Sequence, residues 1–83
     1  MIRIYTTKNC DYCKKLKTSL KEEGYEYVEI DIDNDKNREE CQKIFDFAGV
    51  TLVPIIIKKP HVLVPTRSFN TIEQAIELIK SFD

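Results

Sequence analysis

The sequence predicts an α/β fold in which a four-stranded mixed sheet packs against three helices, in the order β-α-β-α-β-β-α. Apolar residues alternate with polar ones in some segments and recur at helical spacing in others. A β-α-β unit comes first and implies parallel strands with a right-handed crossover, whereas a short turn near the end allows only an antiparallel hairpin. The chain has 83 residues, so we expect residues 1–83 to form a single domain.

The first half of the chain is predicted to contain a strand, a helix and a second strand. Ile2–Thr6 alternates between apolar and polar residues, which is typical of a strand. A helix should begin near Asp11, because a carboxylate suits a first helical turn, and should end before Gly24. Its apolar residues recur at helical spacing: Cys13, Leu16 and Leu20. Val28–Ile32 alternates again and predicts the second strand.

The middle of the chain is predicted to contain a second helix followed by a hairpin. The pair Asn34-Asp35 offers a helix cap, and Gly49 should end that helix. Its apolar stripe consists of Cys41, Ile44, Phe45 and Ala48. Val53–Ile57 and Val62–Val64 predict two strands, which the turn Lys58–Pro60 joins.

The third helix has the most regular periodicity of the chain. The segment Asn70-Thr71-Ile72-Glu73 resembles a capping box, in which the first and last side chains satisfy backbone N–H groups at the helix start. The apolar residues that follow at helical spacing are Ile72, Ala75, Ile76 and Ile79. We therefore expect a helix from this segment to near the end of the sequence.

Composition excludes several function classes. The 13 basic and 14 acidic residues leave a net charge of −1, so we expect no nucleic-acid partner, because nonspecific binding to phosphates needs a basic surplus. No apolar run approaches the about 18 residues of a membrane span, so we expect no membrane partner. The three cysteines are an odd number, whereas small secreted domains usually carry an even set. We therefore expect a soluble, cytoplasmic protein.

Cys10-Asp11-Tyr12-Cys13 is a C-x-x-C motif at the junction of the first strand and first helix. Free N–H groups and the helix dipole at such a junction stabilise a thiolate. Cys10 should lie before the helix and be exposed, whereas Cys13 should be more sheltered, which fits an attacking and a resolving thiol. A zinc site within one chain is not expected, because the sequence has no second such motif and His61 is its one histidine.

On these residues the sequence resembles the glutaredoxins, which have a thioredoxin-like fold. The resemblance covers nearly the whole chain and rests on the C-x-x-C motif, on Thr51-Leu52-Val53-Pro54, and on the strand–turn–strand–helix end. It implies that Pro54 is cis and faces the cysteines, and that the Val53 backbone pairs with the bound thiol compound. The topology agrees, because an antiparallel third strand would begin beside the end of the first strand, near Cys10.

The resemblance also implies a function. We expect a dithiol thiol–disulfide oxidoreductase that reduces protein or glutathione mixed disulfides through Cys10 and Cys13. Glutathione would be the co-substrate, with no permanently bound cofactor and no metal, and the chain would be a monomer. The residues that the resemblance assigns to substrate binding are Lys8, Tyr12, Leu52, Val53, Pro54, Asn70 and Thr71.

The sequence departs from the glutaredoxin pattern at three places. Asp11 replaces the usual proline after the first cysteine, Arg67-Ser68 replaces a Gly-Gly pair, and Asn70 replaces an acidic residue. The N–H groups of Asn70 and Thr71 could still receive a carboxylate at a helix start, and Arg67 would add charge if it turned inward. Without the glycines, however, side chains can block close approach of a ligand to the backbone.

These departures keep other functions open. One is a thioredoxin-like electron donor, reduced by a flavin reductase and serving, for example, ribonucleotide reductase. A second is a module that holds an iron–sulfur cluster between two subunits, with one Cys10 from each and two glutathione molecules. A third is a domain that binds a protein partner without redox chemistry.

Four more residues outside the motifs bear on the function because of their reactive or charged groups. Cys41 lies on the apolar stripe of the second helix and is expected in the core, with a regulatory thiol as the alternative. His61 follows the hairpin turn, far along the third strand from Pro54, and should be a surface residue. Lys14 and Lys15 lie close to the motif, where they could stabilise a thiolate or steer acidic partners.

Overall fold

The structure is a computed structural model, which describes residues 1–49 and 51–82. The elements follow one another in the predicted order β-α-β-α-β-β-α. Their bounds are β1 Ile2–Thr6, α1 Asp11–Glu22, β2 Tyr27–Asp31, α2 Arg38–Ala48, β3 Ile55–Lys58, β4 His61–Leu63 and α3 Ile72–Ser81. A short 3₁₀ turn, Asp35–Asn37, precedes α2.

The four strands form one mixed sheet in the order β2-β1-β3-β4. β1 is parallel to β2 and antiparallel to β3. β3 and β4 are antiparallel and form the expected hairpin. In the antiparallel pair, Tyr5 lies opposite Ile55 and Arg3 lies opposite Ile57. The end of β1, which leads to Cys10, therefore lies beside the start of β3, which follows Pro54.

The helices cover both faces of the sheet. One apolar cluster joins α1 and α3 to the sheet through residues such as Ile4 and Ile56, which are fully buried. Tyr5 and Ile55, their neighbours along the same strands, belong to a second cluster with α2. Because successive side chains of a strand point to opposite faces, the two clusters are the two sides of one sheet.

Several element bounds differ from those predicted. β2 and β4 each begin one residue earlier than expected, and β3 begins two residues later, at Ile55. Pro54 has no N–H group to donate to a strand partner, which is a physical reason for that later start. α2 begins after the 3₁₀ turn, which Asn34 caps: its side chain accepts a hydrogen bond from the Lys36 N–H (3.0 Å).

The predicted capping box of α3 is wrong by one residue. The cap is Thr71, whose hydroxyl accepts a hydrogen bond from the Gln74 N–H (3.1 Å), and the Gln74 side chain accepts one from the Asn70 N–H (2.7 Å). Glu73 instead pairs with Lys15 of α1 (2.5 Å). Ile72 is 1% exposed and begins the apolar stripe of the helix, so the last extended residue before the helix is Thr71.

Candidate active site

Cys10 and Cys13 form a disulfide at the start of α1, with their Cα atoms 5.2 Å apart. Cys10 is the N-cap residue of the helix, and its sulfur accepts a hydrogen bond from the Cys13 N–H (3.1 Å). The Cys13 side chain is 1% exposed, whereas Cys10 is partly exposed. An incoming disulfide can therefore reach Cys10, while Cys13 can react only with the sulfur of Cys10 beside it.

A small cleft of about 170 Å³ lies beside the motif and is mostly apolar. Its walls come from α1, from the segment before β3 and from the loop before α3. We call it the apolar cleft; it is lined by Tyr12, Val53, Pro54, Pro65, Thr66, Phe69, Asn70, Thr71 and Ile72. The structure thus brings together five of the seven residues that the sequence assigned to substrate binding.

The segment before β3 contributes Val53 and Pro54 to the apolar cleft. The Val53–Pro54 peptide bond is cis, as the resemblance implied, and the Pro54 side chain is fully buried. Leu52 precedes this pair, is 46% exposed, and is not among the residues that line the cleft. A second cis bond, Lys59–Pro60, lies in the β3–β4 turn.

The loop before α3 forms the far wall of the cleft and is held by its own hydrogen bonds. The Ser68 N–H donates to the Val64 carbonyl (2.8 Å), and the Ser68 hydroxyl accepts from the Val64 N–H (3.1 Å). Thr66 has a φ of 68°, in the left-handed region, and its N–H donates to the Phe69 carbonyl (2.8 Å). Four lining residues were not among the predicted site residues: Pro65, Thr66, Phe69 and Ile72. An aromatic residue between two predicted elements is the signal that could have found Phe69.

Arg67 does not turn into the cleft. Its guanidinium donates a hydrogen bond to the Ala48 carbonyl (2.6 Å) at the end of α2. A cation at this position interacts favourably with the negative end of the helix dipole. Arg67 therefore links the loop before α3 to α2, on the opposite side of the sheet from α3.

The start of α3 offers fewer free N–H groups than expected. Because the Gln74 side chain accepts from the Asn70 N–H, that group is not available to a ligand carboxylate in this arrangement. The Thr71 N–H has no acceptor within residues 1–49 and 51–82. The Thr71 N–H, on the wall of the apolar cleft, can therefore receive an anionic group.

Lys8 lies on the other side of the motif, in a polar depression of about 370 Å³. The polar depression is lined by Thr6, Thr7, Lys8, Lys14, Lys17, Glu29 and Asp31. Glu29 accepts hydrogen bonds from the Thr6 hydroxyl (2.7 Å) and the Lys17 ammonium (3.0 Å). The Thr6 hydroxyl, followed by Lys17, lowers the pKa of the Glu29 carboxyl, so this carboxylate stays ionised at neutral pH.

Cys41 and His61 occupy the positions expected for them. Cys41 is 4% exposed and belongs to the core cluster under α2, and burial is the largest cause that raises the pKa of its thiol. His61 is exposed, pairs with Lys58 at the end of β3 away from Pro54, and stacks on Phe82 with ring centroids 3.7 Å apart. Neither residue belongs to the apolar cleft.

The described residues contain neither a metal-binding cluster nor a helix that could span a membrane. Within residues 1–49 and 51–82, no group of three or more histidine, cysteine or acidic side chains is arranged to hold a metal ion. None of the helices in the same ranges has both the length and the apolar character needed to span a bilayer.

Comparisons with known proteins find similar chains among the glutaredoxins. The glutaredoxin family model matches residues 2–62. The chain is 38% identical over 56 residues, which are 66% of its own length and 75% of the relative's, to an uncharacterised glutaredoxin-like 8.6 kDa protein of the rubredoxin operon of Clostridium pasteurianum.

Solved structures show the same fold. A glutaredoxin from Archaeoglobus fulgidus superposes with a TM-score of 0.75 at 26% identity, covering 95% of this chain and 85% of its own. The glutaredoxin-like protein NrdH-redoxin from Escherichia coli, described as having a thioredoxin-like activity profile, gives 0.65 at 23% identity, covering 80% and 83%. The predicted thioredoxin-like fold is therefore confirmed.

Proposed function

The chain belongs to the glutaredoxin family, and from this we propose that it is a dithiol oxidoreductase that reduces protein or glutathione mixed disulfides with glutathione as the reductant. The observation that carries the proposal is the pair of cysteines at the start of α1, one partly exposed and one buried, beside an apolar cleft. Such a pair can cycle between dithiol and disulfide without a bound cofactor.

The reaction proceeds in two thiol–disulfide exchanges. The Cys10 thiolate attacks one sulfur of the substrate disulfide, and the other substrate sulfur leaves as a thiolate that takes up a proton. The Cys13 thiolate then attacks the Cys10 sulfur, which releases the second substrate thiol and leaves the Cys10–Cys13 disulfide. Two electrons pass from the protein to the substrate, and two molecules of glutathione return them to the protein, forming glutathione disulfide.

The substrate-binding residues act around Cys10 in this proposal. Tyr12 and Pro54 contact the substrate in the apolar cleft, and the backbone of Val53 pairs with it as an added strand does. Leu52 is an exposed apolar contact just outside the cleft. These groups orient the substrate disulfide toward Cys10, so that the attacking and leaving sulfurs lie in line.

Glutathione binding needs groups for its carboxylates. The Thr71 N–H, at the positive end of the α3 dipole, is one such group, and the Lys8 ammonium on the opposite side of Cys10 is another. Asn70 would contribute its side-chain amide, because its own N–H donates to Gln74. We expect glutathione to bind through these three residues and Val53.

A second candidate is a thioredoxin-like electron donor, reduced by a flavin reductase and serving an enzyme such as ribonucleotide reductase. Two observations favour it: the Gln74 side chain occupies the Asn70 N–H, and Arg67 is committed to the Ala48 carbonyl. Both leave fewer groups at the cleft for a glutathione carboxylate. Under this candidate the same cysteines perform the same exchange, and the source of electrons differs.

The test is reduction of a small glutathione mixed disulfide, with glutathione and glutathione reductase as the sole electron source. We expect the native chain to turn over, Cys10→Ser to be inactive, and Cys13→Ser to retain a one-thiol route for this substrate. A native chain that is inactive here but accepts electrons from thioredoxin reductase would favour the second candidate over the glutathione-dependent function. Inactivity with both reductants would contradict oxidoreductase function altogether.

A further inference from the structure

The motif lies between two surfaces of different character. Cys10 follows β1, which lies between β2 and β3 in the sheet. The apolar cleft is on the β3 side, because Val53 and Pro54 lead into that strand. The polar depression is on the β2 side, because Glu29 and Asp31 belong to β2. A polypeptide that presents a disulfide to Cys10 can therefore contact both surfaces.

Both acidic side chains of the polar depression already accept hydrogen bonds within the protein. Glu29 binds Lys17 and the Thr6 hydroxyl. The Asp31 carboxylate accepts the Asp33 N–H (2.9 Å), and the Thr7 hydroxyl donates to Asp33 (2.5 Å).

Two ammonium groups of the depression, on Lys8 and Lys14, remain without an anionic partner among the described residues. Both lysines are exposed, and they flank the motif at two residues before Cys10 and directly after Cys13. The unpaired positive charge of the depression is thus concentrated beside the reactive cysteine.

We propose that the polar depression binds acidic side chains of protein substrates, so that disulfides flanked by Asp or Glu are preferred. This inference rests on the proposed oxidoreductase function and adds the class of protein substrate. Carboxylates of the substrate near Lys8 and Lys14 would speed its encounter with the protein and hold the substrate segment in register. Charged surface groups affect association rate and register more than they affect affinity. The acidic side chains of Glu29 and Asp31, which line the same depression, limit this preference to short acidic segments rather than polyanions.

The test compares two disulfide peptides in a single turnover with the pre-reduced protein and no glutathione. The peptides are identical except for a short run beside one cysteine, which is Glu in one and Gln in the other. Each rate constant is divided by that of the same peptide with dithiothreitol, which removes the effect of the charges on the peptide's own disulfide. We expect the normalised rate to be about fivefold higher for the Glu peptide at low salt. The preference should disappear at high salt, where the Debye length falls to about 3 Å.

Matched variants assign the preference to the polar depression. Lys14→Gln and Lys8→Gln should each lower the Glu-to-Gln ratio toward one. Lys59→Gln removes the same charge from an exposed lysine in the β3–β4 turn and should leave the ratio unchanged. The ratio is the readout because a lysine beside the motif also affects the thiolate, which changes both rates together.

The outcomes separate the inference from the function on which it rests. Equal normalised rates for the two peptides would overturn the acidic preference and leave the oxidoreductase function standing. A preference that Lys59→Gln reduces as much as Lys14→Gln would also overturn it, since net charge would then be the cause. Reaction with neither peptide would contradict both the function and the inference.

Discussion

Cys10, Cys13 and Cys41 share one chemical group but differ in how far solvent reaches them. Cys10 caps α1 and is partly exposed, whereas the other two are 1% and 4% exposed. Burial also raises the pKa of Cys41, so its thiol remains protonated at neutral pH. Because the thiolate is the reactive form, burial and protonation together keep Cys41 out of the reaction, while burial of Cys13 leaves Cys10 to meet an incoming disulfide.

This difference predicts the order of alkylation. In the reduced, folded protein at pH 7, iodoacetamide should modify Cys10 first, and Cys41 only after denaturation, as measured by mass spectrometry of timed samples. Cys41→Ala is the control and should leave the modification of Cys10 unchanged. Equal modification of Cys10 and Cys41 in the folded protein would contradict the prediction.

Thr6 illustrates how one buried hydroxyl controls a charge. It is 1% exposed and donates to Glu29, which lowers the pKa of that carboxyl in the folded state. A lowered folded-state pKa contributes stability that is present above the unfolded pKa of Glu and lost as pH falls through the folded value.

We therefore predict that Thr6→Val lowers the free energy of unfolding by about 1 kcal/mol at pH 7. The difference from the native chain should shrink as pH falls through the lowered folded-state pKa of Glu29, because Glu29 is then protonated in both proteins. Denaturant unfolding across this pH range is the measurement. Thr6→Ser keeps the hydroxyl and should retain the pH dependence; a Thr6→Val deficit that persists unchanged in acid would point to packing instead.

At the scale of elements, the end of α2 is held by a glycine and an arginine that are far apart in sequence. Gly49 ends the helix with a φ of 73°, and Arg67 donates to the Ala48 carbonyl beside it. A Cβ atom on Gly49 would lie 3.3 Å from the Arg67 Nη2 atom, whereas one on Gly24 would meet nothing within 4 Å. The two glycines share a positive φ and differ in this contact.

This pair gives a matched prediction. Gly24→Ala and Gly49→Ala should each destabilise the protein by about 1 kcal/mol from backbone strain. Gly49→Ala should cost more, because it also displaces the guanidinium from the end of α2. In denaturant unfolding, the excess should vanish when Arg67→Ala is added to both variants. An equal cost for the two glycines would mean that the guanidinium moves aside freely.

At the scale of the whole molecule, the sheet is shared by two apolar clusters. Ile79 belongs to the cluster under α1 and α3, and Ile55 to the cluster under α2, and both are fully buried. Neighbouring residues of β1 and β3 contribute to opposite clusters, so loss of one cluster removes support from the strands of the other. We propose on this basis that residues 1–83 form one cooperative domain.

The corresponding prediction uses one small deletion on each face. Ile79→Val and Ile55→Val should each lower the free energy of unfolding by about 1 kcal/mol. Each should shift a single transition in which far-ultraviolet circular dichroism and tyrosine fluorescence coincide. Separate transitions for the two probes, or a shift confined to one probe, would contradict a single domain.

Much of the fold followed from local patterns. The alternation of Ile2–Thr6 and the periodicity of α3 predicted those elements directly, and Gly24 and Gly49 lie just past the helices they were expected to end. The errors lie at element ends: the α3 cap is Thr71 because burial of Ile72 decides where the helix begins. Periodicity locates the middle of an element, and the ends depend on which side chains the tertiary fold buries.

The sequence by itself determined the order of the elements, the C-x-x-C motif at a helix start and the resemblance that led to the glutaredoxin family. These properties are local or follow from chain connectivity, so neighbouring residues suffice to predict them. Only the tertiary structure decided that Arg67 binds the end of α2, that Gln74 occupies the Asn70 N–H, and that Lys8 lies across Cys10 from the apolar cleft. Each of these depends on where a side chain points relative to other elements, and hydrogen bonding and burial set that direction only once the sheet has assembled.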